Sequence, residues 1–170
     1  GIAGSPAKCE YVVKELGFDA CVNYKTEDLL PALQRACPRG IDVYFDNVGG
    51  AVLAAVLRLI NGNARIPLCG LISQYNATDV PPGPNLFPVL INRALVKGFI
   101  VSDHQDRSSD FLQDSTRWLH EGKLKFREDM RMGLENAPAA LIGLLQGRNF
   151  GKLIVKVGED PTAAQSSRPR

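Results

Sequence analysis

From residue 6 onward, helix-like and strand-like segments alternate along this sequence with short polar joins, and that alternation admits little besides an α/β protein with a mostly parallel sheet. Ser5 precedes Pro6 as an N-cap residue before a first-turn proline, and Tyr11, Val12, Glu15 and Leu16 carry the first helix to Gly17. Asp19 to Asn23 reads as a short strand. Thr26, Glu27 and Asp28 open a second helix that runs to about Cys37, where Pro38 and Gly40 stop it. Ile41 to Phe45 is a β-rich run ending in Asp46, Asn47 and the Gly49-Gly50 pair, after which residues 51–60 read as a helix. The pattern continues with a strand over Ala64 to Gly70, a long turn-rich loop over 73–88, a short helix closing at Ile91 to Leu95, and a strand over Val96 to Val101. Asp110 to Glu121 places Phe111, Leu112, Trp118 and Leu119 on one helical side, and Gly122 ends it. Leu124 to Arg127 is read as extending outward, Ala137 to Leu145 as helical, and Lys152 to Val157 as a last buried strand.

The fold class expected is a doubly wound parallel sheet of the dinucleotide-binding type. The series opens on Gly1 to Ser5, which reads as the tail of a strand whose body is absent, so the sheet is expected to be incomplete at its N-terminal side. Residues 1–157 then form one partial dinucleotide-binding domain, and 158–170, with little to bury, form a disordered tail.

Composition narrows the function classes. With 170 residues, 45% hydrophobic and 22% charged, the chain suits one packed domain. A net charge of +2 gives no field that would attract nucleic acid or an anionic membrane surface. The longest apolar stretch, 51–60, is interrupted by Arg58 and is far shorter than the roughly 20 residues of a membrane span. Cysteines at 9, 21, 37 and 69 match neither a paired nor a clustered zinc-ligand spacing, so no metal is expected. Their apolar surroundings suit free thiols in a reducing compartment, which points to the cytoplasm. The N-terminus has no secretion-signal pattern and no initiator Met. His104, in a polar loop, and His120, at a helix end, have no metal partner at ligand spacing and read as surface residues.

Ligands of open α/β sheets bind beyond the carboxyl ends of the strands. After the first strand come Gly4, Ser5 and Lys8, with no acid to accept a bond from a ribose 2′-hydroxyl. A hydroxyl and an ammonium beside a helix N-terminus suit a 2′-phosphate, although Ser5 as a plain N-cap and Lys8 as a solvated lysine fit the local pattern as well. After the third strand, Asn47, Gly49 and Gly50 permit close backbone approach to a ligand or form a tight strand-to-helix turn.

Seven ordered strings, GFDACVNYKTEDL, GIDVYFDNVGG, ARIPLCGLISQYN, PPGP, GFIVSD, ENAPAALIGLL and GRNFGKLIV, carry a family resemblance. They resemble the cofactor domain of the zinc-independent medium-chain dehydrogenase/reductase superfamily, in its NADPH-dependent alkenal double-bond reductase branch of prostaglandin, 2-alkenal and curcumin reductases. The resemblance implies that Lys8 and Tyr24 hold the adenosine 2′-phosphate beside Ser5, and that Asn47 contacts the cofactor ribose. It implies further that Cys69, Gly70, Ile72, Ser73 and Tyr75 line the nicotinamide crevice, with Tyr75 near the enone carbonyl. Phe99, Ile100 and Val101 match the strand-end backbone that holds the carboxamide, and Asn149 matches a cofactor-contacting asparagine.

The activity implied is hydride transfer from NADPH to the β carbon of an enone or enal, in a protein that is a homodimer. Quinone reduction, or a non-catalytic nucleotide-binding fragment, are the alternatives. Two family features are not in the sequence: the glycine-rich turn between first strand and first helix, and the GroES-like catalytic domain. Asn92 stands where some animal members have a tyrosine near the nicotinamide.

Overall fold

The first strand, β1 (Ile2–Ala3), feeds α1 (Pro6–Lys14) through a cap in which the Ser5 hydroxyl accepts the Lys8 backbone N–H at 3.3 Å, with Pro6 in the first turn where no hydrogen bond is lost. These positions come from a computed structural model that describes residues 1–159. The chain divides into a first unit, Gly1–Lys123, and a second that begins at Leu124.

In the first unit β2 (Val22–Asn23) pairs with β1 in parallel, Ile2 opposite Val22. The strand is shorter than the expected 19–23 run, and α2 (Leu29–Ala36) starts at Leu29, after the N-cap Asp28, rather than at Thr26. Side chains cause the delay. The Asn23 N–H donates to the Glu27 carboxylate at 2.8 Å, and the Asn23 amide oxygen accepts the Lys25 N–H at 3.2 Å, so the acidic stretch closes a turn before the helix begins.

A second ladder holds β3 (Ile41–Val43), β4 (Ile60–Leu68) and β5 (Leu95–Gly98) in that order, all parallel. Between β3 and β4 runs α3 (Gly50–Leu57), which ends three residues short of the expected Ile60. Ile60 instead opens β4 opposite Ile41, and a register slip before Val43 pairs with Arg65 takes up the residues around Asn63, whose φ is +63°. The short α4 (Phe87–Ile91) ends before Leu95, which belongs to β5 rather than to a helix. β5 itself stops at Gly98: Phe99 still donates to the Leu68 carbonyl at 3.3 Å, but Val101 opens a 3₁₀ turn and lies outside the expected strand. α5 (Ser108–His120) closes this unit, with Phe111, Leu112, Trp118 and Leu119 exposed.

Every pairing in the two ladders is parallel, as expected of this fold class. The core lies on one face, where Ala32 and Leu33 of α2 and Val52, Leu53, Val56 and Leu57 of α3 pack on Val22, Ile41, Ala64 and Ile66. Because strand side chains alternate, the neighbours of Ala64 and Ile66 point the other way. On that opposite face Val43, Phe45 and Leu95 are exposed, and the Phe45 and Phe99 rings meet edge to face at 5.9 Å.

The second unit is a βαβ crossover. β6 (Glu128–Met132) and β7 (Lys152–Lys156) pair in parallel around α6 (Ala137–Leu145). β6 follows the stretch read only as extending outward, since charged residues at 128, 129 and 131 leave no apolar run to find. β7 is half-buried and ends at Lys156, not the fully buried strand through Val157 that was expected. Of the tail 158–170, residues 160–170 lie outside the described residues.

Candidate functional site

At the carboxyl ends of β1 and β2, three of the expected residues come together. A Cβ added at Gly4 would lie 2.9 Å from the Tyr24 ring and 3.0 Å from its hydroxyl, so the Tyr24 ring covers the Gly4 backbone next to Ser5. Lys8, half-buried, stands one turn into α1, and no acidic residue occupies the first turn of that helix. The local field is thus that of a helix N-terminus with a lysine one turn in, and the Tyr24 ring lies over Gly4. Tyr24 also borders an open groove with Glu27, Asp28, Leu30, Ala51 and Arg58.

At the carboxyl end of β3 the chain turns through Asp46, Asn47, Val48, Gly49 and Gly50. This turn is built around a residue that the sequence pattern did not single out. Asp46 is fully buried at 0% exposure, and its Oδ1 accepts the Val48 N–H at 2.8 Å, the Gly49 N–H at 2.9 Å and the Tyr44 hydroxyl at 2.9 Å. Its Oδ2 is buried with no hydrogen-bond partner. Burial, together with the adjacent carboxylate, pushes the Tyr44 phenol far above its ordinary value, so Tyr44 stays a neutral donor. An acid directly after a β-rich run and ahead of Asn-Val-Gly-Gly was the available signal, since such a carboxylate can close an Asx turn on the N–H groups that follow.

The same turn is bolted to the segment after β4. Cys69 and Gly70 donate their N–H groups to the Asp46 carbonyl at 2.8 and 3.1 Å, and Ile72 donates to the Asn47 carbonyl at 3.1 Å. Ser73 donates to the Val48 carbonyl twice, from its backbone at 3.1 Å and its hydroxyl at 2.6 Å. Gly49 and Gly50 have φ of +70° and +53°, and Cβ atoms there would lie 2.6 Å from Leu71 and 2.9 Å from the Ser73 hydroxyl. The backbones therefore approach as closely as only glycine allows.

Asn47, Cys69, Ile72, Ser73 and Tyr75 are exposed around this junction, and the Tyr75 hydroxyl lies 3.7 Å from a Cβ built on Gly70. An open cleft of about 440 Å³ joins Cys69 and Gly70 to Phe99 and Ile100. Val101 faces elsewhere: it lines a separate hollow with His104, Phe111 and Trp118. Asn149 belongs to the second unit, where its amide donates to the Gly151 carbonyl at 2.8 Å and it borders a hollow with Arg131 and Arg148. The arrangement in the first unit offers a cationic helix end, a rigid polar turn and an apolar-to-polar cleft, which are the parts needed to hold an extended phosphorylated molecule along the strand ends.

Among the described residues no three His, Cys, Asp or Glu side chains cluster as a metal would require. A protein-held zinc needs three or four such ligands, and this donor set does not supply them. No helix among the described residues is long and apolar enough to cross a membrane.

Comparison with known proteins agrees with this architecture. Residues 16–155 match the family model described as zinc-binding dehydrogenase. The chain is 46% identical over 166 residues to the NADPH-dependent curcumin reductase of Escherichia coli strain K12, covering 94% of this chain and 48% of that protein. It is 43% identical over 161 residues to the 2-alkenal reductase (NADP(+)-dependent) of Nicotiana tabacum, covering 94% of this chain and 47% of that protein. The crystal structure of CurA in complex with NADPH from Vibrio vulnificus superposes with a TM-score of 0.88 at 49% identity, covering 94% of this chain and 49% of that one. The chain thus spans about half the length of the curated relatives it matches. On the family match and these identities, the chain belongs to the zinc-binding dehydrogenase family, within its zinc-independent medium-chain reductase branch.

Proposed function

We propose that this chain supplies the cofactor half, over residues 1–157, of an NADPH-dependent reductase acting on the α,β carbon–carbon double bond of enones or enals. The observation that carries the reading is the junction of Ser5, Lys8 and Tyr24 at a helix N-terminus with no acid in its first turn. A 2′-phosphate gains there from charge and from the helix end, whereas a carboxylate would have selected a free 2′-hydroxyl. The names of the relatives, curcumin reductase and 2-alkenal reductase, support the substrate class, and the NADPH bound to CurA from Vibrio vulnificus supports the cofactor.

NADPH supplies the hydride when bound. In this reading Lys8, Ser5 and Tyr24 hold the phosphate end, Asn47 contacts the ribose, and Gly49, Gly50 and Gly70 let the backbone lie against the cofactor. Cys69, Ile72 and Ser73 border the nicotinamide side, and the backbone at Phe99 and Ile100 takes the carboxamide. Negative charge develops on the substrate oxygen as the double bond is reduced, and the Tyr75 hydroxyl is the donor that offsets it. Family resemblance adds a homodimer and small-molecule substrates, and the unpaired thiols fit a cytoplasmic setting.

The test is cofactor discrimination in the protein carrying this sequence. Lys8→Ala is expected to weaken NADPH binding by about 1.5–3 kcal/mol, the range for a charged hydrogen bond, and to leave NADH binding nearly unchanged. Equal losses for the two cofactors would remove Lys8 from the phosphate site.

A further inference from the structure

Two of the four cysteines are neighbours in space although 12 residues separate them. Cys9 lies in the second turn of α1 and Cys21 immediately precedes β2; both are half-buried and unpaired, and their thiols share a hydrogen bond. Independent geometry places the same surfaces together. A Cβ built on Gly1 would lie 2.8 Å from Val12, one helical turn beyond Cys9, and 3.5 Å from the Cys21 sulfur. The segment around Cys21 is fixed by Gly1, whose amine donates to the Ala20 carbonyl at 2.8 Å and whose carbonyl accepts the Val22 N–H at 2.9 Å. Cys37 and Cys69 have no such thiol partner in view: Cys37 caps α2, and Cys69 is exposed at the end of β4.

We propose that Cys9 and Cys21 are a redox-active dithiol that closes to an intrachain disulfide and thereby alters the 2′-phosphate cleft formed by Lys8 and Tyr24. The oxidant is a small-molecule disulfide such as oxidised glutathione. The Cys9 thiolate attacks one of its sulfurs and releases one equivalent of reduced thiol, leaving a mixed disulfide on Cys9. The Cys21 thiolate then attacks the Cys9 sulfur and releases the second equivalent. Two electrons pass from the cysteine pair to the reagent, and the two cysteine protons end on the released thiols. Burial is the main cause that lifts the Cys21 thiol to about 11, helped by its bond to Cys9. A thiol that resists ionisation is a slow attacker, so the step in which Cys21 gives up its proton and closes the disulfide limits the rate.

The consequence for the cleft rests on the proposed function. A sulfur–sulfur bond of about 2 Å is shorter than any thiol–thiol hydrogen bond, so closure draws α1 toward β2. Lys8 is the residue before Cys9, and Tyr24 is three residues beyond Cys21, so both sides of the cleft move with the bond.

The experiment treats the protein carrying this sequence with oxidised glutathione, maps the cross-link by mass spectrometry of an unreduced digest, and measures the KM for NADPH and for NADH before and after. The expected result is a Cys9–Cys21 link, at least a threefold rise in the KM for NADPH with a smaller change for NADH, and recovery with dithiothreitol. Cys9→Ser and Cys21→Ser should each abolish both the link and the shift, and Cys37→Ser should keep them. Absence of the link, or a link that leaves both KM values unchanged, overturns the proposal. Lys8→Ala that leaves the reduced protein's NADPH affinity intact, in the presence of the link, would overturn the phosphate assignment while the dithiol stands.

Discussion

Asp46 shows what a single side chain contributes at this site. Its carboxylate takes three hydrogen bonds on one oxygen, two of them from the backbone that presents Asn47, while the other oxygen has none. Asp46→Ala strands two N–H groups and the Tyr44 hydroxyl, each in a buried or half-buried place, and is expected to lower stability by about 2–4 kcal/mol. Asp46→Asn keeps an acceptor at the same position and is expected to lose less than half of that; denaturant unfolding of the two variants checks the order. The residue also marks a limit of reading from sequence. The places of Ser5, Lys8 and Asn47 just after strand ends were legible in the sequence, and Tyr24 enters the proposed site through the family strings. A buried acid was not, since its worth depends on which N–H groups the fold places around it, and those are fixed only once β3 and β4 pair.

At the scale of elements, the turn between β3 and α3 is held shut by glycine geometry as much as by hydrogen bonds. Gly49 has φ +70° and ψ −148°, a region that residues with a Cβ hardly enter, and Leu71 fills the space a Cβ would need. Gly49→Ala is expected to lower stability by about 2–3 kcal/mol from backbone strain alone and to loosen the cleft. Gly83→Ala, where an added Cβ meets nothing within 4 Å, is the matched control and should leave the melting temperature unchanged within error. Most elements were legible from periodicity and punctuation, and their ends were not. α3 ends early because Ile60 is drawn into the ladder opposite Ile41, α2 starts late because Asn23 and Glu27 close a turn, and β6 is masked by its own charges. In each case pairing or a side-chain bond with a distant or preceding residue overrode the local pattern.

For the molecule as a whole, the parallel order of the ladders followed from strand alternation, but the uneven distribution of burial did not. One face of β3–β4–β5 carries the core, while Val43, Phe45 and Leu95 on the other are 63%, 53% and 57% exposed. In doubly wound proteins both faces of the sheet are covered, and an open apolar face of this kind favours association. These 170 residues expressed alone are therefore expected to self-associate and to bind NADPH more weakly than low micromolar. Light scattering combined with calorimetric titration decides it, and a monomer that binds at low micromolar affinity would show that the uncovered face and the separate ladders are no obstacle.

The ladder between β1 and β2 consists of only two facing pairs, Ile2 with Val22 and Ala3 with Asn23, and of the residues it presents, Ser5, Lys8 and Tyr24, none belongs to the buried core. On the proposed reading, selection can therefore act on the phosphate end almost independently of foldability. Exchanging Ser5 or Lys8 for an acidic residue is then expected to change which nucleotide is favoured while Ile66, Val56 and their neighbours keep their packing, a short mutational path between one reductant pool and the other.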